Sequence, residues 1–291
     1  MWILCAFLSA IFAGLTAILS KIGVRNTDSD VATAIRTSVV LVLSAAVATI
    51  TGQMGAFPNI TWQSYLFLFL SGLATGASWT CYFKALSLGR AAEVSAVDKS
   101  SVVISVLLAL AIFPSERNGW WIKLICLAAI AVGTVLTIDF QKIKESKGDK
   151  KASWLLFALL SAFFAAVTSI LAKIGIEDVP SNLATFLRTI VVLFAAWGIV
   201  FGRKKTKLVA ATPKKDLLFL VLSGVATASS WLCYYYAIAY GRVSVVVPID
   251  KLSILFTVAL SVFVLKEKIK LRGYIGLALI VAGTICMAVF A

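Results

Sequence analysis

The chain has 291 residues, of which 61% are hydrophobic and only 14% charged, with a mean hydropathy of +0.99. A soluble domain of this size needs more charge to cover its surface, so the composition excludes a soluble globular protein and points to a membrane one. The net charge of +14 lies in loops beside apolar stretches and not in a separate soluble domain, which argues against nucleic acid as a partner.

A hydrocarbon core about 30 Å thick needs about 20 apolar residues per helical span. Spans are expected at 2–21, 30–50, 64–87, 93–113 and 119–139, then at 153–173, 182–202, 215–239, 243–264 and 271–290. The first stretch is too long for a signal h-region and has neither a basic n-region nor a cleavage site, so it reads as a span. The apolar runs are continuous, not alternating, which excludes a β-barrel. Cys5, Cys81, Cys126, Cys233 and Cys286 all fall in apolar stretches, and the chain has no histidine and no CxxC. They read as small buried hydrophobes, with no metal and no cofactor expected. The sequence offers no Gly-rich phosphate loop and no catalytic triad, so no enzyme activity is expected.

An internal repeat organises the chain. Lys21-Ile22-Gly23 recurs as Lys173-Ile174-Gly175, Arg36-Thr37 as Arg188-Thr189, and Ser71-Gly72 as Ser223-Gly224. Ser78-Trp79 recurs as Ser230-Trp231, Cys81-Tyr82 as Cys233-Tyr234, and Asp98-Lys99 as Asp250-Lys251, all at an offset of 152 residues. Near the end the offset slips to 150, with Gly133-Thr134 against Gly283-Thr284. A shared register over several spans is not chance apolar similarity. The expected fold is all-α, with ten transmembrane helices in two five-helix repeats, 1–140 and 153–291, joined by a basic linker at 141–152. Each half has an odd number of spans, so the second enters the membrane from the opposite side as an inverted repeat. The loop 51–63 is uncharged, whereas its counterpart carries Arg203, Lys204, Lys205, Lys207, Lys214 and Lys215. Together with the linker and the last loop, these basic segments are expected on the cytoplasmic side, with both termini outside.

Several of these segments resemble the EamA family of the drug/metabolite transporter superfamily. In the first half they are Leu19-Ser20-Lys21-Ile22-Gly23, Thr33-Ala34-Ile35-Arg36-Thr37, the run from Ser71 to Trp79 and Asp98-Lys99-Ser100. In the second half they are the run from Ser181 to Thr189, Pro248-Ile249-Asp250-Lys251-Leu252-Ser253 and Leu265-Lys266-Glu267. The resemblance covers nearly the whole chain. It implies a ten-helix secondary carrier in the cell (inner) membrane, with a central cavity between the halves and alternating access. Family members are usually drawn with both termini cytoplasmic, the reverse of what the charges here indicate. The Gly-Glu pair common after the fourth span reads Pro114-Ser115-Glu116 here.

Ionisable groups inside spans mark the chemistry. Glu93, Asp98 and Asp250 are the acidic ones, the last two repeat-related and each followed by a lysine, Lys99 and Lys251. They read either as substrate or proton sites or as ion pairs that lock helix packing. Arg36 and Arg188 sit with threonines at i−3 and i+1 on one helix face, suited to hold a carboxylate or phosphate bidentately, or to snorkel and cap carbonyls. Ser71, Thr75, Ser78, Trp79 and Tyr82 keep one face of the third span, copied as Ser223, Thr227, Ser230, Trp231 and Tyr234 on the eighth. They read as a cavity wall whose aromatics stack on a substrate, or as a packing face. Trp62, Trp120, Trp121 and Trp154 open spans and read as interfacial belt residues. Pro248 replaces Ala96 in the repeat and suggests a kink present in one half only. The expected function is a carrier for a small polar or charged metabolite in a lipid bilayer, proton-coupled or exchanging, as a monomer or homodimer. A lipid flippase or membrane-embedded enzyme and a non-transporting assembly partner are the alternatives.

Overall fold

The computed structural model describes residues 1–114, 117, 119–137, 153–266 and 270–290, and the side chains of all of these but Asn59, Pro248, Lys251 and Ala288. The linker expected at 141–152 lies outside the described residues, as do Ser115 and Glu116. All regular structure among the described residues is helical. The first half holds α1 (Trp2–Gly23), α2 (Ser29–Ile50), a short 3-10 helix (Gln53–Asn59), α3 (Trp62–Leu88), α4 (Ala91–Lys99), α5 (Ser101–Ile112) and α6 (Trp120–Thr137). The second holds α7 (Ser153–Gly175), α8 (Ser181–Gly202), α9 (Thr206–Ala210), α10 (Lys214–Tyr240), α11 (Val243–Lys251), α12 (Ser253–Phe263) and α13 (Leu271–Phe290). Eight stretches are long and apolar enough to cross a membrane: α1, α2, α3, α4 with α5, α6, α7, α8 and α10. The other two expected spans coincide with the shorter apolar stretches Ser253–Phe263 and Leu271–Met287.

Local chemistry sets the helix ends. Asp28 caps α2, accepting from the N–H groups of Asp30 at 2.9 Å and Val31 at 3.4 Å. The C-terminal carbonyls of α3 and α10 take an ammonium each. Lys21 donates to Leu86 O and Gly89 O, both at 2.6 Å, and Lys173 donates to Ile238 O and Gly241 O at 3.0 and 3.3 Å. A cation there meets the negative end of the helix dipole.

The two halves exchange contacts. The first helix of each packs on the third of the other (α1 on α10, α7 on α3), while α2 packs on α8 and α6 on α13. In a membrane, close approach of small residues replaces the hydrophobic effect as the main attraction between helices. A Cβ on Gly72 would sit 2.7 Å from Val191 Cβ, and one on Gly224 the same distance from Val39 Cβ. The slipped register also has a structural meaning: Gly133 packs on Gly276 and Ile280, and Gly283 on Cys126 and Ile130, the same contact read at 150 residues.

One expectation needs correction. Trp62, Trp120 and Trp121 are exposed, but Trp154 is buried, because its ring lies against Gly89 of the other half, and Trp2 lies likewise against Gly241. In both halves a helix boundary falls at one repeat position, between Lys99 and Ser101 and between Lys251 and Ser253. Ser100 N bonds to Val97 O and Val103 N to Ser100 O; Leu252 N bonds to Ile249 O and Leu255 N to Leu252 O. These i to i−3 bonds tighten one turn at the same repeat position.

Candidate functional site

Between the halves lies a cavity of about 150 Å³. Its wall falls into repeat pairs: Thr16 and Thr168, Thr75 and Thr227, Ser78 and Ser230, Trp79 and Trp231, Tyr82 and Tyr234, Asp98 and Asp250. α3 and α10 supply the hydroxyl and aromatic rows, α4 and α11 the carboxylates. The indole rings of Trp79 and Trp231 meet with centroids 4.6 Å apart and planes tilted by 46°. The tyrosines differ in their partners: Tyr82 bonds to Ser95 at 3.2 Å, Tyr234 to Ser169 at 3.1 Å.

Each carboxylate takes a serine from the other half. Ser161 donates to Asp98 Oδ1 at 2.7 Å and Ser9 to Asp250 Oδ1 at 2.6 Å. Ser78 and Ser230 extend both networks, donating to the backbone carbonyls of Ser161 and Ser9 at 3.1 Å. Lys99 also lines the cavity, but its Nζ stands 3.8 Å from Asp98 Oδ2, a loose contact. The side chains of Lys251 and Pro248 lie outside the described residues.

Arg36 and Arg188 neither snorkel nor cap carbonyls. Both are fully buried. Arg36 Nε donates to Ser223 Oγ at 2.8 Å and Nη2 to Thr227 Oγ1 at 2.6 Å. Arg188 mirrors this with Ser71 at 2.9 Å and Thr75 at 2.8 Å. Aromatic faces cover both cations: Phe83 lies 4.1 Å from Arg36 Cζ and Tyr235 lies 4.2 Å from Arg188 Cζ. Cation–π attraction offsets part of the cost of burying each charge. Of the two, Arg36 is on the cavity wall.

Glu93 is not brought to this cavity. It pairs with Arg90 at 2.8 Å beside a space of about 30 Å³ that Lys270 and Arg272 also line. Sequence reasoning missed Ser9, Ser161 and the ring pair Phe83 and Tyr235. Polar residues at the repeat offset inside apolar spans were the available signal for the serines. It also missed Lys123, which is fully buried and donates to Ser244 Oγ at 3.2 Å.

The fold and cavity define a multi-pass helical membrane protein with a polar chamber between two like halves. The EamA-like transporter family matches residues 1–138 and again 152–289. The chain belongs to this family and is a membrane transporter. An uncharacterized transporter of Sinorhizobium sp is 42% identical over 138 residues, 47% of this chain and 98% of its own. An uncharacterized protein of Methanocaldococcus jannaschii is 30% identical over 141 residues, 46% of this chain and 96% of its own. Each relative is thus about the length of one repeat. A solved crystal structure superposes with a TM-score of 0.70 at 16% identity, covering 98% of this chain and 97% of that one, a likeness of fold.

Proposed function

We propose that the protein is a secondary carrier that moves a small polar or charged metabolite through the cavity by alternating access. One observation carries the reading: the cavity is walled by repeat pairs, with a carboxylate from each half held by a serine of the other. Exchange of halves then converts one set of contacts into its mirror, which is what a site that opens to either side in turn requires. Charged groups at this depth are costly and mark transport pathways. In this reading the chain crosses ten times, α11 with α12 and α13 supplying the last two spans. Residues 1–140 and 153–291 are the inverted repeats, and the basic loops face the cytoplasm with both termini outside. Asp98 and Asp250 are the groups available for coupling, by proton uptake or by holding a substrate cation.

The test is flux in proteoliposomes over a panel of amino acids, polyamines, sugar phosphates and quaternary amines. A substrate should emerge whose flux falls at least about tenfold in Asp98→Asn with Asp250→Asn, as loss of a charge-assisted contact requires. Full flux in that double variant sinks the role of the pair. Flip-flop of labelled phospholipid with no soluble flux would favour a flippase.

A further inference from the structure

α3 and α10 both line the chamber, and each packs on the first helix of the other half. The two arginines show how these walls run. Arg36 bonds to Ser223 and Thr227 of α10, and its guanidinium lies over Trp79 and Phe83 of α3, 5.3 and 4.1 Å from the ring centroids. Arg188 bonds to Ser71 and Thr75 of α3 and lies over Trp231 and Tyr235 of α10, at 5.8 and 4.2 Å. Rising numbers on α3 thus meet falling numbers on α10, so the walls are antiparallel and the arginines mark two levels. At the helical rise those levels are about 12 Å apart. The half-buried indoles of Trp79 and Trp231 meet between them, with centroids 4.6 Å apart. A chain of contacts therefore runs Phe83, Arg36, Trp79, Trp231, Arg188, Tyr235, and crosses from wall to wall at the indole pair. The carboxylates flank that pair. Through Ser161 and Ser9, Asp98 and Asp250 are tied to Ser78 and Ser230, each one residue before an indole.

We propose that Trp79 and Trp231 are the gate of the pathway: their ring contact closes the chamber between the two arginine levels, and a substrate passes only when the indoles part. This rests on the carrier reading and adds its moving element. Each arginine holds the opposite wall by two hydrogen bonds from a charged group, whereas the indoles meet by ring contact. A ring contact is worth less than one such bond, so it is the link that yields. An apolar constriction closes a pathway by excluding water, which a pair of indoles between hydroxyl rows does here. One indole comes from each half at the same repeat position, so exchange of the halves leaves the gate unchanged. A single closure then serves both sides of the membrane.

The experiment is leak of trapped radiolabelled mannitol from proteoliposomes of the full-length protein. Trp79→Ala with Trp231→Ala should raise the leak at least about tenfold over wild type, as loss of a sealing constriction requires. Trp62→Ala with Trp120→Ala removes two exposed indoles and should leave it at the wild-type level. A second variant covers the case in which the alanine pair does not fold. In a chain whose five native cysteines are replaced, Trp79→Cys with Trp231→Cys should leak until a short bifunctional methanethiosulfonate bridges the two thiols, and again after dithiothreitol. A merely structural pair would lower the melting temperature and leave the vesicles tight. Folded alanine protein as tight as wild type, an equal leak from the Trp62 and Trp120 variant, or a cysteine pair whose leak ignores the bridge overturns the proposal. Mannitol needs no substrate, so the two readings fail separately. Tight vesicles beside flux that depends on Asp98 and Asp250 would remove the gate and leave the carrier; a mannitol leak beside no flux of any panel member in wild type would remove the carrier and leave the indoles as the chamber's seal.

Discussion

Arg188 shows how a single side chain holds two halves together. It reaches from α8 to Ser71 and Thr75 on α3, positions 117 and 113 residues away in sequence. A hydrogen bond to a charged group is worth about 1.5–3 kcal/mol. Arg188→Met should therefore lower thermal stability in detergent by about 2–4 kcal/mol, since it removes two such bonds and leaves the hydroxyls to re-pair with their own helix. A melt unchanged from wild type would show that the pin carries no weight. Ser9→Ala and Ser161→Ala each take one donor from a carboxylate, and each should cost about 1–3 kcal/mol with similar loss on both sides. The arginines and aspartates were legible from their depth in the spans and from the repeat. Their serine and threonine partners were not, because each lies in the other half, and a one-dimensional pattern shows which residues are equivalent but not which ones meet.

At the scale of elements, the α2–α8 contact appears twice and is built differently each time. At one end Asp30, itself nearly buried, accepts from Arg203 at 2.8 Å and Lys205 at 2.6 Å, and Asp28 pairs with Lys205 at 2.8 Å. At the equivalent place in the other half Asn182 bonds to Gln53 Oε1 at 3.0 Å and to Thr51 Oγ1 at 3.3 Å. Each of these residues stands at the 152-residue offset from its charged counterpart. One end is an ion-pair cluster and the other a neutral amide contact. Burial raises the Asp28 carboxyl, but hydrogen bonds from Lys205 and the Asp30 N–H outweigh it and the net lies below 3.8. Burial lowers the Lys205 ammonium, but its bonds to Asp28 and Asp30 outweigh that and the net lies above 10.5.

The signs set a pH window. A depressed carboxyl contributes stability above its unfolded value of 3.8 that is lost as pH falls through the folded one. A raised ammonium contributes below 10.5 and is lost as pH rises through its folded value. The cluster should thus hold from about pH 5 to about pH 10 and loosen in acid. Partial exposure limits Lys205 to about 1 kcal/mol, so Lys205→Gln should cost about that and flatten the acid limb of the melting curve. An unaltered acid limb would assign it to other carboxylates. Close crossings give a second contrast. Gly72→Ala would drive a methyl into Val191 and should cost about 1–3 kcal/mol, whereas Gly198→Ala has nothing within 4 Å and should gain up to about 1 kcal/mol of helix propensity. The helices themselves were legible from hydropathy alone. Their tightened turns at Ser100 and Leu252 were not, since proline was the only visible signal and it stands a turn away.

For the molecule as a whole, the repeat is both the fold's plan and the plan of its chamber. Cavity residues fall at the 152-residue offset because each half presents the same faces to the other. The relatives of one-repeat length fit the same unit. Departures from that symmetry include Phe83 against Tyr235, Ser95 against Val247, and the charged cluster against the amide one. Composition and periodicity reached the membrane class and the two halves. They did not reach which side chains of the two halves meet at the chamber wall.

Alternating access through this chamber is tested most directly by reaching one cavity residue from each side of the membrane. Ser78→Cys, in a chain whose five native cysteines are replaced, would be exposed in proteoliposomes to a membrane-impermeant thiol reagent, either added outside or trapped inside. The account predicts that the same thiol is labelled from both sides, and that bound substrate slows both reactions. Labelling from one side only, in protein that still moves its substrate, would contradict it.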